Sequence, residues 1–199
     1  MTSIITGDII NSRSLEPNEW MPSLKEVLNL YGTAPQQWEV YRGDSFQLEV
    51  PPEKALEAAI LIKASLKQFK KMDARLAIGI GEKSFTANKI TESNGTAFIN
   101  SGKCFEQLKK NTLAIQSTFP ELDHTLNIMF DLALLTMNNW TPTSARLLRA
   151  ALEHPNMNQI ELAEIFSTTQ GNISQGLKRA GHDEITKLIN YYKSQITQL

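Results

Sequence analysis

Residues 38–50 read WEVYRGDSFQLEV, and this stretch decides the fold of the first half of the chain. Trp38–Tyr41 and Phe46–Val50 are rich in aromatic and β-branched residues, which favour strands. The tripeptide between them, Arg42-Gly43-Asp44, contains Gly-Asp, which is a turn signal. The stretch therefore predicts a tight β-hairpin that carries Asp44 at its tip.

Strands and helices alternate on either side of this hairpin. Ser3–Ile10 and Ala74–Gly81 are short apolar runs of the kind that form buried strands. Apolar residues at helical spacing, and Pro51-Pro52 at a helix start, predict the intervening helices. The further elements predicted are helices over Asn18–Tyr31, Glu53–Lys71, Gly95–Lys110 and Pro120–Asn138, and a strand over Leu113–Gln116. The order β-α-β-β-α-β, with an extra helix and strand, predicts an α+β domain with a split βαβ, ferredoxin-like plan.

The composition changes near Trp140, and every segment after it has a helical pattern. The part before it holds 14 Lys and Arg against 16 Asp and Glu, and the part after it holds 6 against 5. We therefore predict two domains, residues 1–140 and 141–199, of which the second is all-α. Its predicted helices are Ser144–Leu152, Ile160–Phe166, Gln170–Ala180 and Glu184–Ile196.

Composition and charge exclude several classes of protein. The chain has 199 residues, 41% hydrophobic and 21% charged, which excludes wholesale disorder. A net charge of −1 excludes a generally basic nucleic-acid coat protein but leaves room for a local DNA-binding helix. One cysteine, Cys104, excludes a disulfide framework and a Cys-rich zinc site. Without a basic leader or a long apolar run, we expect a soluble, cytoplasmic protein with no membrane partner.

Two aspartates form the first candidate site. In a split βαβ sheet the first strand is central and the hairpin lies beside it, so Asp8 and Asp44 are expected to face one another. Carboxylates at strand ends suit Mg²⁺ or Mn²⁺, which take one or two carboxylates together with phosphate oxygens. Backbone N–H groups after the strand, with Ser12 and Arg13, are suited to a triphosphate. The alternative is that both aspartates are ordinary turn residues.

Several segments resemble class III nucleotidyl cyclases, in the same order along the chain. Thr6-Gly7-Asp8-Ile9-Ile10 resembles their first metal-aspartate strand, and Arg42–Phe46 resembles both their Gly-Asp hairpin and that of GGDEF diguanylate cyclases. Arg75–Gly81 looks like the strand R-x-G-I-x-x-G, and Asn94–Asn100 is similar to the helix that starts G-x-x-V-N. With the helical C-terminus, the whole chain resembles the SatD-like family of short bacterial proteins, usually labelled regulators. The resemblance implies a metal site at Asp8, Ile9 and Asp44, nucleotide contacts at Asn11, Ser12, Arg13 and Arg42, and catalytic candidates at Asn100 and Lys103.

Two positions depart from the cyclase pattern. The purine-reading lysine of cyclases lies four residues before the hairpin aspartate, where this chain has Val40. Their transition-state arginine lies four residues after the helix asparagine, where this chain has Cys104, with Lys103 one position earlier. Without the arginine, charge developing on the phosphate is poorly stabilised. The departures favour binding of a metal and a triphosphate over cyclisation.

Residues 159–181, QIELAEIFSTTQGNISQGLKRAG, have the pattern of a helix-turn-helix. We predict that Ile160, Leu162, Ala163, Ile165 and Phe166 form the inner face of its first helix. The second helix presents side chains that read base edges and phosphates in a major groove, namely Thr169, Gln170, Asn172, Ser174, Gln175, Lys178 and Arg179. The alternative is a helical hairpin with a solvated polar face. The last helix, 184–196, is interpreted as core of this domain or as a dimer seam.

These patterns lead to two functional hypotheses. The first is a transcriptional regulator that binds double-stranded DNA and whose N-terminal domain binds a nucleotide and metal or mediates dimerisation. The second is a Mg²⁺-dependent nucleotidyl cyclase or nucleotidyltransferase. A homodimer that pairs through the N-terminal half is expected. The resemblance implies it, because cyclase-like domains act as pairs whose site forms between two protomers. Helix-turn-helix proteins also bind paired half-sites, and a weakly charged reading head needs a second copy.

Overall fold

The computed structural model describes residues 1–199, in which five strands form one mixed sheet. The strands are β1 (Thr2–Ile10), β2 (Trp38–Tyr41), β3 (Ser45–Val50), β4 (Asp73–Gly81) and β5 (Leu113–Gln116). Their order across the sheet is β2-β3-β1-β4-β5. Only β4 and β5 run parallel, and the other neighbours are antiparallel. The prediction of an α+β protein is confirmed.

Eight α-helices complete the fold. They are α1 (Pro17–Asn29), α2 (Ala55–Lys67), α3 (Thr96–Gln107), α4 (Pro120–Met137), α5 (Pro142–Glu153), α6 (Gln159–Ile165), α7 (Gln170–Ala180) and α8 (His182–Ile196). Three short 3-10 turns, Ser12–Ser14, Pro52–Lys54 and Ile90–Glu92, were not predicted. The predicted helix 53–71 is too long at both ends, because a 3-10 turn opens it and the chain reverses after Lys67, with Lys71 at a φ of 69°.

One face of the sheet carries the main core. Ile5 and Ile9 of β1 belong to a cluster of 39 buried residues that also includes α1, α2 and α4. Lys63 of α2 is fully buried there, and its Nζ donates to Asp73 Oδ1 at 2.7 Å and to Thr112 Oγ1 at 2.8 Å. These two acceptors stabilise the buried ammonium group, since a buried charge without a partner is costly.

The other face of the sheet is covered by α3. A Cβ on Gly79 would lie 2.1 Å from the backbone nitrogen of Ser101, so glycine is what lets α3 approach β4 this closely. Thr6 and Ser101 hydroxyls hydrogen-bond across this contact at 3.0 Å. Helix α3 lies over β1, β4 and β5 and so covers this face only in part.

The C-terminal helices pack against the α+β part. Residues of α5 and α8, with Trp140 and Ala180, belong to the same 39-residue core. Arg149 of α5 donates to Glu26 Oε2 at 3.0 Å, and the Tyr192 hydroxyl of α8 donates to the Pro52 carbonyl at 2.8 Å. The domain boundary near residue 140 stays a prediction, and apolar packing is continuous across it. No helix has both the length and the apolar composition required to cross a bilayer.

Helices α5, α6 and α7 also share a small core of their own. Leu147, Leu162, Ala163 and Ile173 are among its six buried residues. The predicted inner face of α6 is wrong in part, because Ile160 is 62% and Ile165 57% exposed. The short α6 turns Leu162 and Ala163 toward its neighbours, which leaves the flanking isoleucines outside.

Candidate functional site

Strand register brings polar side chains to one corner of the sheet. Asp8 of β1 lies opposite Ser45 of β3 and opposite Arg75 of β4. Directly paired residues of neighbouring strands project from the same face. The Ser45 hydroxyl donates to Asp8 Oδ1 at 3.4 Å. Asp8 is therefore set between a hydroxyl and a guanidinium, on the face that carries α3.

The hairpin tip delivers the second carboxylate to this corner. Arg42 and Gly43 have φ of 54° and 90°, which curls the chain back toward β1. The Asp44 carbonyl accepts a hydrogen bond from the Ile9 N–H at 3.1 Å. Its carboxylate Oδ2 accepts from the Ser12 hydroxyl at 2.7 Å. The structure thus brings Asp8 and Asp44 to the same corner of the sheet, and a metal shared between them stays a prediction.

The charge of Asp44 acts on the Asp8 carboxyl. Burial, followed by the charge of Asp44, raises the pKa of the Asp8 carboxyl, and Arg75 and the Ser45 hydrogen bond oppose this rise. Two carboxylates that repel each other at a partly solvated corner are suited to a divalent cation between them. We refer to Asp8, Asp44, Ser12 and Ser45 as the acidic corner.

An aromatic hydroxyl and a cation border the acidic corner. Burial raises the pKa of Tyr41, an effect that Arg42 opposes and Asp8 reinforces. The Arg75 guanidinium lies over the Phe105 ring, 5.0 Å from its centroid, and its Nε is buried without an acceptor. Sequence reasoning missed Tyr41, Ser45 and Arg75 as neighbours of Asp8, although the strand pairing of the hairpin was available as a signal for the first two.

The donor set at the corner fits a hard cation with few protein ligands. Ile9 has an apolar side chain, so the predicted metal role is limited to its backbone oxygen. No group of three or more His, Cys, Asp or Glu side chains is arranged to hold a metal. Two carboxylates remain, which is the number that Mg²⁺ takes when phosphate oxygens and water complete its shell. The residues fit Mg²⁺ or Mn²⁺ held jointly with a phosphate.

The predicted nucleotide contacts divide into engaged and free side chains. Asn11, at a φ of 59°, donates its amide to the Lys71 carbonyl at 2.7 Å, and Ser12 is bound to Asp44. Their side chains brace the corner. Arg13 and Arg42 are exposed and form no ion pair, so both guanidinium groups are available to an anion.

The catalytic candidates lie apart from the acidic corner within one chain. Asn100 donates to the Ile80 carbonyl at 2.8 Å, and Ile80 pairs with Ser3. Ser3 and Asp8 are five residues apart on β1, about 17 Å at ~3.4 Å per residue. Lys103 is exposed on α3. The Asn100 side chain is therefore not brought to Asp8.

Both departures from the cyclase pattern point inward. Val40 packs against the main core. Cys104 is buried among Ala77 and Leu108, and burial raises the pKa of its thiol to about 12. Neither position faces the acidic corner, so neither can read a base or stabilise charge on a phosphate there.

Helix α7 is the second candidate site. Its N-cap is Thr169, whose hydroxyl accepts from the Asn172 N–H at 3.3 Å, and Ser167 in the preceding turn has a φ of 49°. A Cβ on Gly176 would lie 2.2 Å from Leu147 Cδ1, so glycine allows α7 to pack tightly on α5. The tight crossing fixes which face of α7 is directed outward.

That outward face carries the predicted DNA-contacting side chains. Gln170 donates to Gln159 at 2.6 Å and Asn172 to Thr168 at 3.0 Å. Gln175, Lys178 and Arg179 are exposed, and Ser174 is half-buried. Thr169 acts as a helix cap, which limits its availability to DNA. The remaining side chains cover the exposed half of α7, opposite Ile173 and Leu177.

Searches against protein-family models, curated proteins and solved structures found no match to this chain.

Proposed function

We propose that the protein is a DNA-binding transcriptional regulator of the cytoplasm, with α7 as the helix that reads the major groove. The observation that carries the proposal is the exposed half of α7, which is polar and basic and belongs to a three-helix unit. The small core of α5–α7 and the close contact of Gly176 with Leu147 support a rigid presentation of this surface. Rigid positioning matters because base readout depends on hydrogen-bond geometry.

Side-chain position assigns the roles along α7. Gln170 and Ser174 lie in the N-terminal half of α7 and Gln175 lies at its middle, and reading helices meet base edges with their N-terminal residues. Lys178 and Arg179 lie in its last turn and are free of ion pairs, which suits them to phosphate contact. The excess of a single positive charge in residues 141–199 makes the affinity of one copy modest.

A mobility-shift titration against random duplex DNA tests this role. We expect the double variant Lys178→Ala/Arg179→Ala to lose at least tenfold in affinity and to reduce the salt slope by about 2. Gln175→Ala is expected to change which sequences are selected. The matched control is Lys25→Ala/Lys110→Ala, which removes two exposed cations from other surfaces. Equal binding by the two double variants contradicts the assignment of α7.

We further propose that the acidic corner binds a divalent cation together with a phosphate-bearing nucleotide. The antiparallel order β4-β1-β3-β2, which is that of a split βαβ plan, supports the likeness to cyclase and GGDEF domains. The effect of the Asp44 charge on Asp8 and the exposed guanidinium groups of Arg13 and Arg42 support a site for a cation and an anion. In this proposal the ligand state of the corner regulates DNA binding.

Thermal unfolding with Mn²⁺ and nucleoside triphosphates tests the corner. We expect a higher unfolding midpoint only when metal and nucleotide are both present, and no rise for Asp8→Asn or Asp44→Asn. Asp183→Asn, at an exposed carboxylate, is the control and should keep the rise. An equal rise in all variants would place the ligand elsewhere.

A nucleotidyl cyclase or transferase is the second candidate function, and the paired aspartates favour it. The inward positions of Val40 and Cys104 oppose it. An assay of pyrophosphate release from nucleoside triphosphates tests this function. Release by the wild type that is absent in Asp8→Asn would favour the enzyme.

A further inference from the structure

Helix α4 exposes an apolar ridge. Ile128, Leu132 and Leu135 are 49%, 63% and 70% exposed, and they follow one another at intervals of four and three residues. That spacing places all three on one face of the helix. A contiguous row of large exposed aliphatic side chains marks an interaction surface more often than a single exposed leucine does.

A groove runs beside this ridge, between α4 and α8. Its volume is about 660 Å³, and its apolar wall includes Met129, Ala133 and Leu188. Three cations line it: Lys178 and Arg179 at the end of α7, and Lys187 of α8, with Glu184 as the one carboxylate. None of the three cations forms an ion pair within the chain, since the pairs of residues 141–199 involve only Arg149 and His182.

An acidic side chain, Asp131, lies beside the ridge, on the flank that faces away from the groove. Asp131 is three residues after Ile128 and four before Leu135, on the side of α4 remote from α8. Its carboxylate accepts one hydrogen bond, from Asn111 at 2.7 Å, and is exposed. This surface therefore combines the apolar ridge with the apolar groove. It has a carboxylate on the flank of the ridge that faces away from α8 and cations around the groove.

We infer that a second copy of this chain occupies the groove, in a two-fold dimer in which the α4 ridge of each copy enters the α4–α8 groove of the other. A two-fold contact requires a self-complementary surface, and this one holds both shapes and both charges. When α4 lies over the partner's groove, the flank remote from its own α8 is the one that meets the partner's α8. Asp131 then faces the partner's Lys187.

The inferred dimer does not depend on DNA binding, but the dimer would constrain how the two copies bind DNA. Helix α7 ends at the rim of the groove, so pairing through α4 and α8 fixes the separation of the two α7 helices. The dimer surface draws on both parts of the chain, whereas a cyclase-type pairing would involve residues 1–140 alone.

Light scattering on the full chain at micromolar concentration tests the inference. We expect a dimer for the wild type and a monomer for Leu132→Glu/Leu135→Glu, because burying two carboxylates in an apolar contact is prohibitive. Ile160→Glu, at an equally exposed position on α6, is the control and should remain a dimer. A monomeric wild type, or a dimeric double variant with an unchanged circular dichroism spectrum, overturns the inference.

A charge exchange tests the orientation. We expect Asp131→Lys and Lys187→Glu each to weaken dimerisation at least threefold, and the combined variant to recover affinity because the pair is restored with reversed signs. Asp131→Asn controls for the hydrogen bond to Asn111. Failure of the combined variant to recover overturns the two-fold arrangement. DNA binding can fail independently of these results, which separates this inference from the proposed function.

Discussion

The two faces of the sheet differ in what covers them and in what their side chains do. One face is closed by α1, α2, α4 and the C-terminal helices, and the core there holds 39 buried residues. The other face has α3 over part of its area and only two clusters of three buried residues each. At the edge of the second face lies the acidic corner. Stability is concentrated on the first face, and candidate chemistry on the second.

Strand β1 contributes both to the main core and to the acidic corner. Ile5 and Ile9 of β1 face the main core, whereas Thr6 and Asp8 face the other side. Because side chains alternate along a strand, the apolar positions anchor β1 while the polar ones stay near solvent. A carboxylate with a raised pKa is tolerated because the opposite face of its own strand is well packed.

The largest expected effect comes from breaking the main core. Phe130 is fully buried, with its ring centroid 6.5 Å from that of Tyr192, and it joins α4 to α8. Phe130→Ala should reduce the free energy of unfolding by about 3–5 kcal/mol in urea titrations. Phe105 is half-buried and lies on the α3 side of the sheet, so Phe105→Ala is the matched variant. Its free energy of unfolding should fall clearly less than that of Phe130→Ala. Equal losses would show that the two faces contribute alike to stability.

The buried ion pair of the main core should give the next largest effect. Asp73→Ala leaves the Lys63 ammonium without its carboxylate. Removing the partner of a fully buried charge reduces the free energy of unfolding by about 3–5 kcal/mol. We expect a smaller reduction here, because the Thr112 hydroxyl still accepts from Lys63. Burial already lowers the pKa of Lys63, an effect that Asp73 opposes. Glu26→Ala removes an exposed partner of Arg149 and should cost about 0–1 kcal/mol by the same titration. A similar cost for both variants would mean that water reaches Lys63.

The smallest expected effect concerns the acidic corner and its pH dependence. Because the fold raises the pKa of Asp8 above its ordinary 3.8, the stability that this group contributes is complete below pH 3.8 and is lost as pH rises through the folded-state pKa. In a chelator, Asp8→Asn should therefore unfold at a slightly higher temperature than the wild type at pH 7, with no difference below pH 3.8. Added Mn²⁺ should reverse the order by stabilising the wild type. A lower midpoint for Asp8→Asn at pH 7 in chelator would show that Arg75 and Ser45 outweigh burial and the charge of Asp44.

The aspartates of the corner were predictable because each stands beside a strand or turn signal that the sequence carries locally. Their neighbour Arg75 was not, since its approach to Asp8 depends on the long-range pairing of β1 with β4. The predicted Asn100 site failed to join the corner for a related reason. Its strand contact, Ile80, is at the far end of β4.

The sequence by itself determined the order, the types and the approximate positions of the α-helices and strands, because hydrophobic periodicity, prolines and glycines act over a few residues. It did not show the three 3-10 turns or the exact ends of α2. Only the tertiary structure decided which apolar positions are covered. Ile160, Ile165 and the α4 ridge have the same local pattern as core residues, yet they are exposed. Burial depends on which partner element lies opposite, and that is settled by long-range packing such as the seating of α5 and α8 on the α+β core.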